Sequence, residues 1–254
     1  MNPLTKDNLI SEFKELGLEP NDIVLVHSSF KSFGGVEGGP QTVIDSILEI
    51  IGNSGTLIVP TFNFDFCEKD PVFDIINTPS KMGIITELVR NNPNSIRTKD
   101  PVYSFSILGK YAKELSQNYV DDSYGKNSIF AKLREFNGKI MIIGLPYTNS
   151  MTFFHHVEEM QEVEYRFTKE FHGKYINKER EEEHCRISFR VRDLNRGIKT
   201  ELDRMGKILE NESIVKVKKI GKAVVRIMNA SKVFDRTIKE LNKNPDILHI
   251  IDYD

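Results

Sequence analysis

Hydrophobic positions in this chain follow two habits, short unbroken runs and helically spaced ones. Residues 5–16 carry apolar side chains at helical spacing, with Thr5 or Asp7 placed to cap a helix. Asp22-Ile23-Val24-Leu25-Val26 reads as a buried strand. It ends in His27-Ser28-Ser29-Phe30 and passes into the glycine-rich Phe33-Gly34-Gly35-Val36-Glu37-Gly38-Gly39-Pro40. A helix over 41–51, a turn at Gly52-Asn53-Ser54-Gly55 and a second strand, Thr56-Leu57-Ile58-Val59-Pro60, should follow. Strand, helix and strand in that order predict a parallel βαβ unit.

Residues 61–78 break the pattern. Phe62, Phe64, Phe66 and Phe73 lie among acids and prolines, which predicts a long irregular loop, and such loops are more often functional than idle. A helix over 80–89 with Ser80 as its cap, a strand over 103–109 and a short helix over 129–136 are expected next. Lys139-Ile140-Met141-Ile142-Ile143-Gly144-Leu145 is a strong apolar strand. Residues 169–192 are rich in Lys, Arg and Glu, with weak alternation at 186–191 that predicts a hairpin. The spacing predicts helix over most of 193–208, a second hairpin from 214–217 and 223–227, and a last helix over 230–244. There is no internal repeat and no low-complexity linker. The fold predicted is a single α/β domain over residues 1–254, with a largely parallel central sheet flanked by helices and a C-terminal antiparallel β/α portion.

Composition narrows the classes. With 39% hydrophobic and 28% charged residues the chain is ordinary for a soluble globular protein. A net charge of −2 argues against binding nucleic acid or an anionic membrane surface. No apolar run approaches the roughly 20 residues that span a bilayer, and Met1-Asn2-Pro3-Leu4-Thr5-Lys6-Asp7 lacks the features of a secretory signal. The two cysteines, Cys67 and Cys185, form no motif, so a reducing cytoplasm is the compartment expected and neither thiol is marked as a nucleophile.

The chemistry concentrates in Thr152-Phe153-Phe154-His155-His156-Val157-Glu158. On a helix, residues three apart share a face, so His155 and Glu158 become neighbours with Thr152 one turn behind. A histidine held by a carboxylate is a proton acceptor suited to neutral pH, whereas a solvated helix face is the ordinary alternative. A metal reading of the pair is poor, since neither HExxH nor a cysteine cluster is present. His27-Ser28-Ser29-Phe30 ends a strand where open α/β sheets bind ligands, and the glycine-rich loop behind it can hold a phosphate or an oxyanion or simply connect strand to helix. Arg97 and Ser104 flank Asp100-Pro101, where an arginine at a sheet end can pair with a phosphate.

In this order the blocks resemble the aminoglycoside 3-N-acetyltransferase family, which is distinct from the GNAT acetyltransferases. They are His27-Ser28-Ser29-Phe30 with the glycine-rich loop; Gly55-Thr56-Leu57-Ile58-Val59-Pro60-Thr61-Phe62; Ser80-Lys81-Met82-Gly83; Arg97-Thr98-Lys99-Asp100-Pro101 with Ser104 and Gly109; Tyr124-Gly125 with Ser128; and the stretch from Thr152 to Glu158. The resemblance spans about residues 5–170; residues 171–254 match only in general character. It departs at Asp100, where the family usually has histidine, and at His156, a second histidine beside the expected base.

The resemblance implies acetyl-CoA as co-substrate, with no metal, and an amine on a sugar ring as acceptor. It assigns catalysis to His155, Glu158 and Ser28, and acetyl-CoA contacts to His27, Ser28, Ser29, Phe30, Arg97, Ser104 and Thr152. Transfer is expected to be direct, with His155 as general base and donors around Ser28 and Ser29 at the thioester oxyanion. Acids at Asp65, Glu68, Asp70, Asp121 and Asp122 suit a polycationic aminoglycoside; the basic stretch 169–192 suits a nucleotide-linked amino sugar of surface polysaccharide synthesis. A catalytically silent CoA- or sugar-binding protein is the alternative of another class. No nucleic-acid or membrane partner is expected, and a homo-oligomer is compatible with the sequence.

Overall fold

Thr5 caps the first helix from both sides: its hydroxyl accepts from the Asn8 N–H, and the Asn8 side chain accepts from the Thr5 N–H. The computed structural model describes residues 2–117 and 122–252. In chain order the elements are α1 (Lys6–Leu16), β1 (Ile23–Ser28), α2 (Pro40–Ile51), β2 (Thr56–Pro60), β3 (Val72–Asp74), α3 (Ile84–Arg90), β4 (Ile96–Arg97) and β5 (Phe105–Gly109). Then come α4 (Ala112–Gln117), α5 (Ile129–Glu135), β6 (Lys139–Ile143), α6 (Phe153–Met160), β7 (Arg166–Ile176), β8 (Glu182–Arg192) and β9 (Ile198–Thr200). The chain continues through α7 (Asp203–Asn211), β10 (Val215–Ile220), β11 (Ala223–Asn229), α8 (Ala230–Leu241) and β12 (His249–Ile251).

Seven strands form the central sheet in the order β10-β11-β6-β1-β2-β5-β4. β1 pairs in parallel with β2, as the βαβ pattern predicts, and on its other side in parallel with β6. The flanks are antiparallel, β5 against β2 on one side and β11 against β6 on the other. The C-terminal hairpin of β10 and β11 therefore extends the main sheet.

The apolar runs are unbroken because these strands bury both faces. Ile23 and Leu25 of β1 point into a core with Ile140 and Ile142 of β6 and with α5, α6 and α8; Val24 and Val26 point into a second core with Met141, Ile143, α1 and α2. Each such side chain removed from water contributes roughly 1.5–3 kcal/mol. No helix among the described residues is long and apolar enough to cross a membrane.

Three local expectations change. Ser80 does not cap a helix: α3 starts at Ile84, after Gly83 at φ +111°, and the Ser80 hydroxyl accepts from the Met82 N–H instead. Residues 193–208 are not mostly helix. Asp193 and Gly197 close a 3-10 turn, and β9 pairs with β12 before α7 begins. Gly197 sits at φ +65° against the Asp252 carbonyl, so a side chain here meets both strain and backbone. The 61–78 stretch carries β3, which pairs in parallel with β7 about a hundred residues later, a contact no local pattern announces. β7 pairs with β8 over its full length, as the hairpin signal in 169–192 predicts.

Candidate active site

β1 and β6 run side by side with Ser28 opposite Ile143, so both carboxyl ends reach one edge of the sheet. α6 begins ten residues beyond that edge. Its apolar face, Phe153, Phe154 and Val157, locks into the core and fixes the helix rotation. That rotation sets His155 and Glu158 together, as their spacing predicts.

His155 Nδ1 lies 2.6 Å from Glu158 Oε2. Arg166, at the start of β7, brings its Nε within 2.8 Å of the same oxygen and an Nη2 within 2.9 Å of Nδ1. The Tyr165 hydroxyl donates to Glu158 Oε1 at 2.8 Å. Glu158 is fully buried. Burial alone raises its pKa, but the Arg166 guanidinium, His155 and the hydrogen bonds from His155 and Tyr165 overcome this and hold it down to about 2. An ionised carboxylate claims the Nδ1 proton, which leaves the lone pair on Nε2. That nitrogen has no partner among the described residues. Burial, and then the Arg166 charge, lower the His155 pKa against the pull of Glu158, so the ring is neutral and basic at pH 7.

His155 lines a cavity of about 340 Å³ with Phe64, Tyr103, Tyr124, Arg166, Phe189 and the strand end 190–192. His156 faces the other way. Its Nδ1 donates to the Tyr124 carbonyl at 2.6 Å, Arg134 Nη1 approaches Nε2 at 3.1 Å, and burial holds its pKa down to about 4. Both ring nitrogens are engaged, so of the two adjacent histidines only His155 presents a free one.

The remaining sequence-picked residues divide. His27 is buried near the end of β1, with Nε2 lacking a hydrogen bond and its pKa held to about 4 by burial. Ser28, Ser29 and Phe30 are half-buried at the sheet edge, and neither serine hydroxyl has a partner among the described residues. The Ser29 N–H donates to the Ile143 carbonyl at 2.8 Å, which removes it as an oxyanion donor. Thr152 occupies the cap position of α6 but its side chain caps nothing. Neither serine nor Thr152 lines the cavity at His155.

Arg97 and Ser104 are buried, and their polar groups face inward. Arg97 donates to the Ser104 hydroxyl and to the carbonyls of Ile75, Thr78 and Thr61, and it lies over the Phe73 ring. Its nitrogens tie the irregular 61–78 segment to the sheet, a different task from the phosphate contact the sequence suggested. Asp100 accepts from the N–H groups of Val102 and Tyr103 and so shapes the turn at Pro101.

Of the acids, Asp65 pairs with Lys81, Glu68 and Asp70 are exposed, and Asp122 accepts from the Tyr124 N–H. Asp121 lies outside the described residues. The four described acids do not line the cavity at His155. Cys67 is half-buried with its thiol pushed up to about 11 by burial, and Cys185 lies in the core.

Sequence reasoning missed Tyr165, Arg166 and Arg192. The only signal was charge complementarity between Glu158 and a nearby arginine, with nothing to say which one.

The buried titratable groups carry a pH consequence. His27 and His156 ionise near 6.5 when unfolded but near 4 when folded. Stability is therefore complete above pH 6.5 and is lost as pH falls toward 4, by on the order of 3 kcal/mol per histidine. His155 adds to the loss in the same direction, and Glu158 adds to it below about 4.5. Glu159, held up to about 7 by burial, works in the opposite sense, but it is only half-buried and offsets less than one histidine. Denaturant midpoints are expected to fall clearly between pH 7 and pH 4.5; a midpoint that holds steady or rises contradicts the burial of these rings.

Comparison with known proteins gives a consistent family. The family model described as aminoglycoside 3-N-acetyltransferase matches residues 25–242. Aminoglycoside N(3)-acetyltransferase IX of Micromonospora chalcea is 29% identical over 180 residues, which cover 63% of this chain and 64% of that protein. The aligned stretch thus spans just under two thirds of that relative. Among solved structures, aminoglycoside acetyltransferase AAC(3)-Xa superposes with a TM-score of 0.85 at 23% identity, covering 95% of this chain and 94% of the other. AAC-IIIb, solved as a binary complex with CoASH, superposes with a TM-score of 0.82 at 21% identity, covering 95% and 97%. At these identities the structural likeness establishes the fold.

Proposed function

This chain belongs to the aminoglycoside 3-N-acetyltransferase family, and we propose that it transfers an acetyl group from acetyl-CoA directly to the amine of an aminoglycoside or a related amino sugar. The observation that carries this reading is the free Nε2 of His155, aimed by a buried carboxylate and lining a cavity. The relatives' names supply the reaction class, and the complex of AAC-IIIb with CoASH, the thiol that acetyl transfer releases, supports the coenzyme.

In this mechanism the neutral amine attacks the thioester carbonyl carbon. The proton it sheds goes to His155 Nε2, and Glu158 stabilises the imidazolium through Nδ1. The carbon–sulfur bond then breaks, and the imidazolium returns the proton to the departing thiolate, releasing the free thiol of CoA. The Ser28 and Ser29 hydroxyls lie at the carboxyl edge of the sheet, outside the lining of the cavity at His155, and are assigned the thioester oxygen on the family resemblance, a contact worth about 3 kcal/mol when aimed at the developing oxyanion. Arg166 and Tyr165 are positioning residues: they keep Glu158 ionised and fix its two oxygens. With the thiols buried or raised, nothing favours a covalent acetyl-enzyme.

The test is thiol release from acetyl-CoA against a panel of aminoglycosides, free amino sugars and nucleotide-linked amino sugars. Release is expected with at least one amine. The acid limb of kcat/KM is expected below pH 6.5, because the base is depressed from that value. A panel in which every amine leaves acetyl-CoA intact, while CoA binds, rejects catalysis in favour of a silent binding protein.

A further inference from the structure

The charged residues lining the cavity at His155 are all arginines: Arg166, Arg190 and Arg192. Two are accounted for within the protein. Arg166 is matched by Glu158 at 2.8 Å. Arg190 donates through Nη2 to the carbonyls of Val163 and Arg166 at 2.5 and 2.6 Å. Arg192 is half-buried and has neither an ion pair nor a hydrogen bond among the described residues.

Its place in the ladder makes this costly. Arg192 on β8 is the direct cross-strand partner of Arg166 on β7. Like charges directly opposite one another destabilise a sheet. Glu158 compensates one of the two guanidiniums and leaves the other facing the cavity. Its neighbour Asp193 is no substitute, since its carboxylate accepts from the Asn195 N–H in the turn that follows. At the rim, Phe64 is 43% and Leu194 is 70% exposed, offering apolar surface to the flat part of a ligand.

A polycation is a poor fit to such a lining. An acceptor with its amine at His155 and a phosphate at Arg192 fits it, because a guanidinium holds phosphate in a fixed two-pronged geometry. Resting on the acetyltransferase reading above, we propose that the acceptor is an anionic amine, a nucleotide-linked amino sugar whose phosphate is received by Arg192. The phosphates of CoA carry the same chemistry, so the test must separate donor from acceptor.

The experiment uses the full chain and compares wild type, Arg192→Ala and Arg192→Lys with three acceptors: a uridine-diphosphate-linked amino sugar, the same amino sugar free, and sisomicin. Melting temperatures establish that the variants fold. The expected result is that wild type uses the nucleotide-linked sugar with the lowest KM, and that this KM rises with salt. Arg192→Ala is expected to raise it tenfold or more and Arg192→Lys to raise it less, while the KM for acetyl-CoA does not move. Arg186→Ala, on the same strand but paired with Glu170 at 2.6 Å, is the control expected to leave both values alone. A rise in the KM for acetyl-CoA alone assigns Arg192 to the donor and overturns the proposal. Preference for sisomicin, improved by Arg192→Ala, overturns it too, while keeping the acetyltransferase reading. Calorimetry with the nucleotide-linked sugar and no donor separates the two claims. Binding lost in Arg192→Ala supports the anion site even if turnover fails, and absence of binding to wild type rejects it.

Discussion

Replacing His155 with alanine is expected to lower kcat by about 10²–10⁴-fold, the usual contribution of a positioned general base. The KM values should change much less. The ring's Nε2 has no hydrogen-bond partner among the described residues, and Nδ1 is held by Glu158 with Arg166 beside it. The fold should tolerate the change. His155 is partly exposed, with 16% of its side chain in solvent, and Glu158 keeps both Arg166 and Tyr165 when the ring is gone. His155→Gln sharpens the experiment, since it retains a polar group near Glu158 and still lacks a base. Single-turnover thiol release beside a melting curve checks the expectation. Wild-type kcat in His155→Ala rejects the base assignment. A matching change at His156 should instead act on stability, because that ring is tied into the core between Tyr124 and Arg134.

Glu158→Ala is expected to cost about 3–5 kcal/mol of stability, as removal of one partner of a buried ion pair usually does. The reason is Arg166, which is 7% exposed and would keep its charge with no counter-ion. Glu158→Gln keeps the shape and one acceptor, so it should cost less. It should still lower kcat, because loss of the negative charge depresses the His155 pKa further and weakens the base. A double-mutant cycle gives the sharper readout. Arg166→Met on the Glu158→Ala background should recover part of the loss, whereas additive losses contradict a coupled pair. Urea titrations of the four proteins measure this directly.

How much of this was legible depends on how far apart in the chain the partners lie. The strands β1, β2 and β6 were plain because each buries both faces and needs a continuous apolar run. The His155 and Glu158 pair was plain because helical spacing alone brings it together. Arg166 and Arg192 were not, because strand register sets them opposite each other, and register depends on how the whole 166–192 hairpin closes. Much of β7 is exposed, so its residues carry little alternation to read. Arg97 looked like a phosphate ligand because an arginine at a sheet end reads the same whether it faces solvent or a carbonyl. Only the fold of 61–78 around it decides the matter. The turn at 193–197 hid behind helical spacing, since β9 exists only through its pairing with β12 near the other end.

The place of β11 in the sheet bears on how this chain is made. β6 lies between β1, which precedes it, and β11, which follows it by roughly eighty residues. During synthesis, β1, β2 and β6 can assemble as soon as β6 leaves the ribosome. One side of β6 then presents a bare row of N–H and C=O groups until the 223–229 segment arrives. At 5–20 residues per second that interval lasts on the order of 4–16 s. Helix α6 and the β7–β8 hairpin are synthesised within that interval, but the sheet edge beside β6 stays open until its end. A nascent chain in this state has an adhesive strand edge, which makes it a natural client for a ribosome-bound chaperone and leaves any truncation before β11 prone to aggregate.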